Sequence, residues 1–235
     1  MALIAGSRGK SRMSDSKPIR VAIVDYCLGN LYSVKQACAY AGLDAMITSD
    51  KQTILDADAI LLPGVGAYGD AMATLHRLDL VSVLRDIAAS PKPFIGICLG
   101  VQLLMTESFE FGHHQGLGII KGQVVPFEQP REGDRVLKVP QIGWNRVYCA
   151  ENVRWNETLL DGVCDGEYMY FVHSFIVQPD DPGVILSTSR YGQVNYCSSL
   201  HRRNVFASQF HPERSGVAGL RIYNNLAAQI KQMTR

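Results

Sequence analysis

A cysteine stands between two glycines in GICLG, residues 96–100, directly after the apolar run Pro93-Phe94-Ile95. A lone buried cysteine is often only a small core residue. The other reading of Cys98 is a nucleophile. A strand, then G-x-C-x-G, then a helix is the sulfur version of the nucleophile elbow, where a tight and strained turn holds the reactive atom out and needs small neighbours. On that reading the amides of the following helix face the thiol and favour its thiolate form.

A nucleophilic thiol needs a base. Of the six histidines, His76 falls in a helical stretch, His113 and His114 form a loop pair with no nearby zinc-ligand spacing, His201 neighbours Arg202 and Arg203, and His173 lies within a strand as a structural candidate. His211 differs. It ends the strand VFASQF and is followed by Pro212 and Glu213. Glu213 is placed to bond the imidazole and fix its tautomer, so Cys98, His211 and Glu213 supply nucleophile, base and orienting carboxylate. Acyl chemistry also needs donors for an oxyanion. The Leu99 N–H is one candidate, and the glycine-flanked loop Gly64-Val65-Gly66 offers a second at the end of a neighbouring strand.

The elements that must carry these groups read as an α/β fold. Residues 19–26, 45–48, 59–62 and 94–97 have the β-branched, apolar signature of buried strands. Between them lie helical patterns: one capped by Asn30 and stopped at Gly42, one over about 70–89 broken near Leu78 and Asp79, and one over 99–107. Strands alternating with helices imply a mostly parallel sheet covered on both faces. After Gly116 the pattern changes to a polar loop at 128–135 and strands at 167–178, 183–189, 192–198 and 204–209, with a last helix at about 216–231. The expectation is one domain over residues 19–235, a mixed central sheet with helices and a smaller antiparallel sheet. Residues 1–18 are expected to be a flexible leader, with Met13 as an alternative start.

The 235 residues are 47% hydrophobic and 19% charged, with a formal net charge of +1. That balance is that of an ordinary globular core rather than a disordered chain, and no basic stripe gives a footprint for nucleic acid. No apolar run is long enough to span a bilayer. Six cysteines without a CxxC pair or a secretory segment fit a reducing, cytoplasmic setting. Gly64, Gly66 and Gly69 also spell the dinucleotide fingerprint G-x-G-x-x-G. The acid that should end the next strand is missing, and the unit is not the first in the chain. Neither a cofactor nor a metal is expected.

GICLG and QFHPE, with cysteine, histidine and glutamate in that order, resemble the class I glutamine amidotransferases. Within that group the chain is similar to the glutaminase subunits of imidazole glycerol phosphate synthase, from about Arg20 to the C-terminus. The similarity is carried by DYCLGNLYSV at 25–34, LPGVGAYGDAM at 62–72, GLGIIKGQVVPF at 116–127, KVPQIGWN at 138–145 and YFVHSF at 170–175. The resemblance implies the class I amidotransferase fold and a glutaminase that forms a glutamyl thioester on Cys98, with His211 as base, Glu213 as its support and the Val65 and Leu99 amides as oxyanion donors. It implies glutamine contacts from Gly66, Gln102, Glu110, Ser174 and Phe175, although Glu110 reads equally as a solvated helix-end charge. It implies a heterodimer with a (β/α)₈ cyclase that takes ammonia through a closed passage for histidine biosynthesis. Asn30, Gln141, Trp144 and Asn145 would face that cyclase. The chain departs from the family pattern at Cys27, where glycine is usual, at Gln141, where histidine is more common, and in YCSSLHRRN at 196–204. Relatives that supply ammonia for amidino groups on surface sugars are the alternative the resemblance leaves open.

Overall fold

The computed structural model describes residues 18–233. The expected leader therefore lies outside the described residues, save Pro18. The first half alternates strand and helix: β1 (Arg20–Val24), α1 (Leu31–Tyr40), β2 (Asp44–Thr48), α2 (Lys51–Asp56), β3 (Ala59–Gly64), α3 (Tyr68–Arg77), α4 (Val81–Ala89), β4 (Phe94–Cys98) and α5 (Leu99–Leu103). The second half is strand-rich: β5 (Glu107–Ser108), β6 (His114–Gln115), β7 (Gly122–Pro126), β8 (Arg131–Glu132), β9 (Arg135–Val136), β10 (Gln141–Cys149), β11 (Glu167–His173), β12 (Phe175–Pro179), β13 (Ile185–Tyr191), β14 (Val194–Arg202) and β15 (Val205–Ser208). Helix α6 (Gly216–Met233) follows.

Thirteen strands share one mixed sheet, whose main path runs β2-β1-β3-β4-β15-β14-β12-β7-β5-β6. The run from β2 to β15 is parallel, and β14 pairs antiparallel with β15. Strand alternation sorts side chains onto the two faces. Ala22 and Val24 of β1 join Ile60 and Leu62 of β3 in the layer under α3, α4 and α5. Val21 and Ile23 join Ala59 and Leu61 in the layer with α1 and α6. Strands β8 and β9 form the separate small antiparallel sheet.

Several local expectations are corrected. The long helix is broken as expected, with Asp79 at φ +53° between α3 and α4. The helix after Cys98 ends at Leu103, well short of residue 107, so its dipole is that of little more than one turn. The polar loop at 128–135 contains the β8–β9 hairpin, turned by Gly133 at φ +59°. The stretch 167–178 is two strands, because β11 pairs with β10 while β12 pairs with β7 and β14. Strand β10 went unread because its apolar side chains face out: Ile142, Trp144 and Tyr148 are exposed, while Gln141 and Val147 are buried.

Candidate active site

Parallel neighbours β3, β4 and β15 end together at one sheet edge. Gly64 is in register with Cys98, and Ser208 with Ile97. Open parallel sheets present ligand sites at the carboxyl ends of their strands, and here that edge gathers all three triad candidates. Cys98 ends β4 at φ +56° and ψ −108°, a left-handed conformation unusual for a side chain with a Cβ. The turn puts Ile97 and Cys98 in the same core layer, out of strand alternation. The flanking glycines are required by contact. A Cβ on Gly100 would lie 1.8 Å from the Leu62 carbonyl oxygen, and one on Gly96 would press on Ala207 and Gly100.

Leaving β15, the chain carries Gln209 and His211 on one side. His211 precedes a single 3₁₀ turn, Pro212–Arg214, and its N–H bonds the Tyr170 carbonyl at 2.9 Å. That turn brings Glu213 back beneath the ring, where Oε1 accepts from Nδ1 at 2.8 Å with the carboxylate side chain only 2% exposed. Nε2 is thereby left for Cys98, whose sulfur lies within electrostatic reach of the imidazole. Burial alone would disfavour a charged His211. The charge of Cys98 and then the hydrogen bond and charge of Glu213 outweigh it and push the imidazole up to about 10.

A cavity of about 460 Å³ opens over Cys98. Val65 and Leu99 line it beside the sulfur, and Gly66, at φ +114°, continues the loop from Val65. Gln102, Glu110, Ser174 and Phe175 are among its other lining residues, so each expected glutamine-contact residue meets the same space. Glu110 is not a solvated charge. It is buried, and it accepts the Tyr68 N–H at the start of α3, where Ala67 offers no side-chain cap. Burial raises its carboxyl above the usual range, and the Tyr68 bond opposes the rise.

Two contributors were not assigned from sequence. Gln209 Nε2 approaches Cys98 Sγ at 3.8 Å, and its Oε1 accepts from Gln102 at 3.2 Å. The signal was present: Gln209 precedes His211 by two residues, so a strand places both on one face. His173 lines the cavity, with Nδ1 bonded to the Phe175 carbonyl at 2.9 Å. Burial, with a smaller contribution from His211, pushes it down to about 4 against that bond, so it stays neutral.

The four residues expected to face a partner differ. Trp144 is 56% exposed. Asn30 is exposed and caps α1, accepting the Ser33 N–H. Asn145 is half-buried and bonds the Arg190 carbonyl at 2.9 Å. Gln141 is only 3% exposed; it points inward and accepts the Tyr196 hydroxyl at 3.0 Å. The G-x-G-x-x-G glycines serve packing, with Gly64 against Tyr26 and Gly69 against the His114 ring.

Residues 22–229 match the family model for glutamine amidotransferase class-I. The chain belongs to the class-I glutamine amidotransferase family. It is a glutaminase-type enzyme. This amidotransferase is 46% identical over 207 residues to the imidazole glycerol phosphate synthase subunit HisH of Rhodopirellula baltica, covering 88% of this chain and 96% of the relative. It is 41% identical over 217 residues to the HisH subunit of Aquifex aeolicus, covering 92% and 100%. Its fold is shared with the PurLQS structure from Thermotoga maritima, at TM-score 0.69 and 20% identity over 94% of this chain and 100% of that one.

Proposed function

We propose that this amidotransferase is the glutaminase subunit of an imidazole glycerol phosphate synthase, with Cys98, His211 and Glu213 as its triad. The observation that carries the reading is the strained Cys98 at the end of β4, lining the cavity, with the bonded His211–Glu213 pair on the chain that leaves adjacent β15. The Cys98 sulfur attacks the side-chain amide carbon of glutamine. The Val65 and Leu99 N–H groups hold the oxygen of the tetrahedral intermediate; one such donor is worth about 10²–10³ in rate. His211 passes its proton to the departing nitrogen, ammonia leaves, and a glutamyl thioester remains. Water then attacks the thioester carbon, His211 takes a proton from that water, and glutamate is released with Cys98 restored. Gln102, Glu110, Gly66, Ser174 and Phe175 hold the amino-acid end of glutamine.

Ammonia remains a nucleophile only while unprotonated. A closed route to the acceptor suits that need, and the neutral His173 beside the cavity does not donate a proton. The receiving partner is a (β/α)₈ cyclase that consumes ammonia in histidine biosynthesis, and the setting is cytoplasmic. The names of the HisH relatives support this partner, as does the exposed face of β10, where Ile142 and Trp144 are 63% and 56% exposed. Among the described residues no helix is long and apolar enough to cross a membrane.

The test is glutamine hydrolysis by the purified chain, alone and with the cyclase of the same organism plus its ribulosyl substrate. The expected result is low activity alone, a large rise with the cyclase, and none in either case for Cys98→Ala. Hydrolysis that does not respond to the cyclase would remove the histidine-pathway partner, and the amidino-sugar acceptor would become the reading to test.

A further inference from the structure

Tyr26 lies two residues beyond the end of β1 and has no exposed surface. Its hydroxyl is buried and has no hydrogen-bond partner among the described residues. It lies against the loop that carries Val65. A Cβ built on Gly64 would sit 1.8 Å from Tyr26 Oη and 3.0 Å from Cζ. Burial first, and then the charge of Cys98, hold the phenol well above its usual range. Tyr26 is therefore a neutral donor, within electrostatic reach of the nucleophile, that bonds nothing in this conformation. Such a group is unfavourable to leave unmade, and a second conformation that pairs it gains by the difference.

Gly64 supplies the carbonyl half of the peptide unit whose other half is the Val65 N–H. The unit is planar and trans, so the two groups point in opposite directions. When the Val65 N–H faces Cys98 across the cavity, the Gly64 carbonyl faces away from the cavity. Tyr26 does not line the cavity; it packs in the layer with Leu62, Tyr68 and Leu99. Glycines on both sides of Val65 leave the peptide free to turn.

We propose that Tyr26 is a positioning residue for the oxyanion loop: its hydroxyl donates to the Gly64 carbonyl when the Val65 N–H turns toward Cys98, and so holds the working orientation. The inference rests on the reading of Val65 as an oxyanion donor.

Tyr26→Phe removes the hydroxyl and keeps the ring. With the cyclase and its substrate present, kcat for glutamine is expected to fall about two- to tenfold, the range of one neutral hydrogen bond. KM for glutamine is expected to stay the same. The thermal midpoint of the chain is expected to stay the same or rise, because an unpaired buried donor is lost. An unchanged kcat overturns the inference. A fall in kcat accompanied by a lower midpoint also overturns it, because it assigns Tyr26 to packing alone. Wild type and Cys98→Ala run in the same assay separate the two readings. If wild type fails to release ammonia there, the glutaminase reading fails; if only Tyr26→Phe is without effect, the positioning role fails.

Discussion

His211 is under opposing pressures, and its partners decide the outcome. Burial favours the neutral ring, while Cys98 and Glu213 favour the imidazolium. Glu213 also fixes which nitrogen faces the sulfur, through the 2.8 Å bond to Nδ1. Glu213→Gln keeps the shape but removes the charge and permits the wrong tautomer. A fall in kcat of about 10² or more is expected at unchanged KM for glutamine. A variant with wild-type kcat would show that the carboxylate plays no part in orienting the base. Cys27 is the residue-scale oddity. It is exposed and adopts φ +66°, the left-handed region that favours glycine. Cys27→Gly is expected to stabilise the fold by about 1 kcal/mol, read as a rise of roughly 2–4 °C in thermal midpoint. A lower midpoint would mean that the Cys27 side chain makes a contact worth more than its backbone strain.

At the scale of elements, the site is an outcome of close approach between β3, β4 and α5. Gly100→Ala would drive a Cβ into the Leu62 carbonyl, a backbone atom that cannot swing aside. That variant is expected to lose the cooperative thermal transition or to show a midpoint many degrees lower; a wild-type melting curve would contradict the contact. Gly64→Ala meets instead the far end of a side chain, Tyr26 Oη. Its destabilisation is expected to be relieved in part by Tyr26→Phe, so the double variant should melt above Gly64→Ala by more than Tyr26→Phe alone raises the wild type. Strictly additive shifts in midpoint would mean that the two residues do not touch. The parallel half of the sheet was legible because its strands are apolar on both faces, as in IRVAIVDY and FIGIC, and because glycines and caps punctuate the helices. Cys98, His211 and Glu213 were legible because short motifs fix their local geometry. Strand β10 was not, since its apolar residues point outward and a tertiary partner decides its use. The inward side chain of Gln141 was not legible for the same reason: nothing in KVPQIGWN says which face of the strand is inside. Helix α5 was overextended because Val101, Leu103 and Leu104 keep a helical pattern, while the chain turns away into β5 at Glu107.

For the whole molecule, two buried histidines make opposite contributions to stability as pH changes. The unfolded value for each is near 6.5. His211 is raised to about 10, so its contribution is complete below about pH 6.5 and is lost as pH rises through about 10. His173 is pushed down to about 4, so its contribution is complete above about pH 6.5 and is lost as pH falls through about 4. The two limbs meet near neutrality. Thermal midpoints measured from pH 4 to 10 are expected to peak there, with His211→Gln flattening the alkaline limb. An alkaline limb that persists in His211→Gln would assign it to other groups.

The sheet order has a consequence for the protein as it leaves the ribosome. Strand β15 sits between β4 and β14, yet it is made after both. Until it inserts, β4 has an open edge and Cys98 has no His211 beside it. A nascent chain can therefore assemble β1 to β4 and expose its thiol without consuming glutamine. On the proposed roles of Cys98 and His211, glutamine is not consumed until the last strand closes the gap, and the same event hides the edge along which unfinished copies would stick to one another.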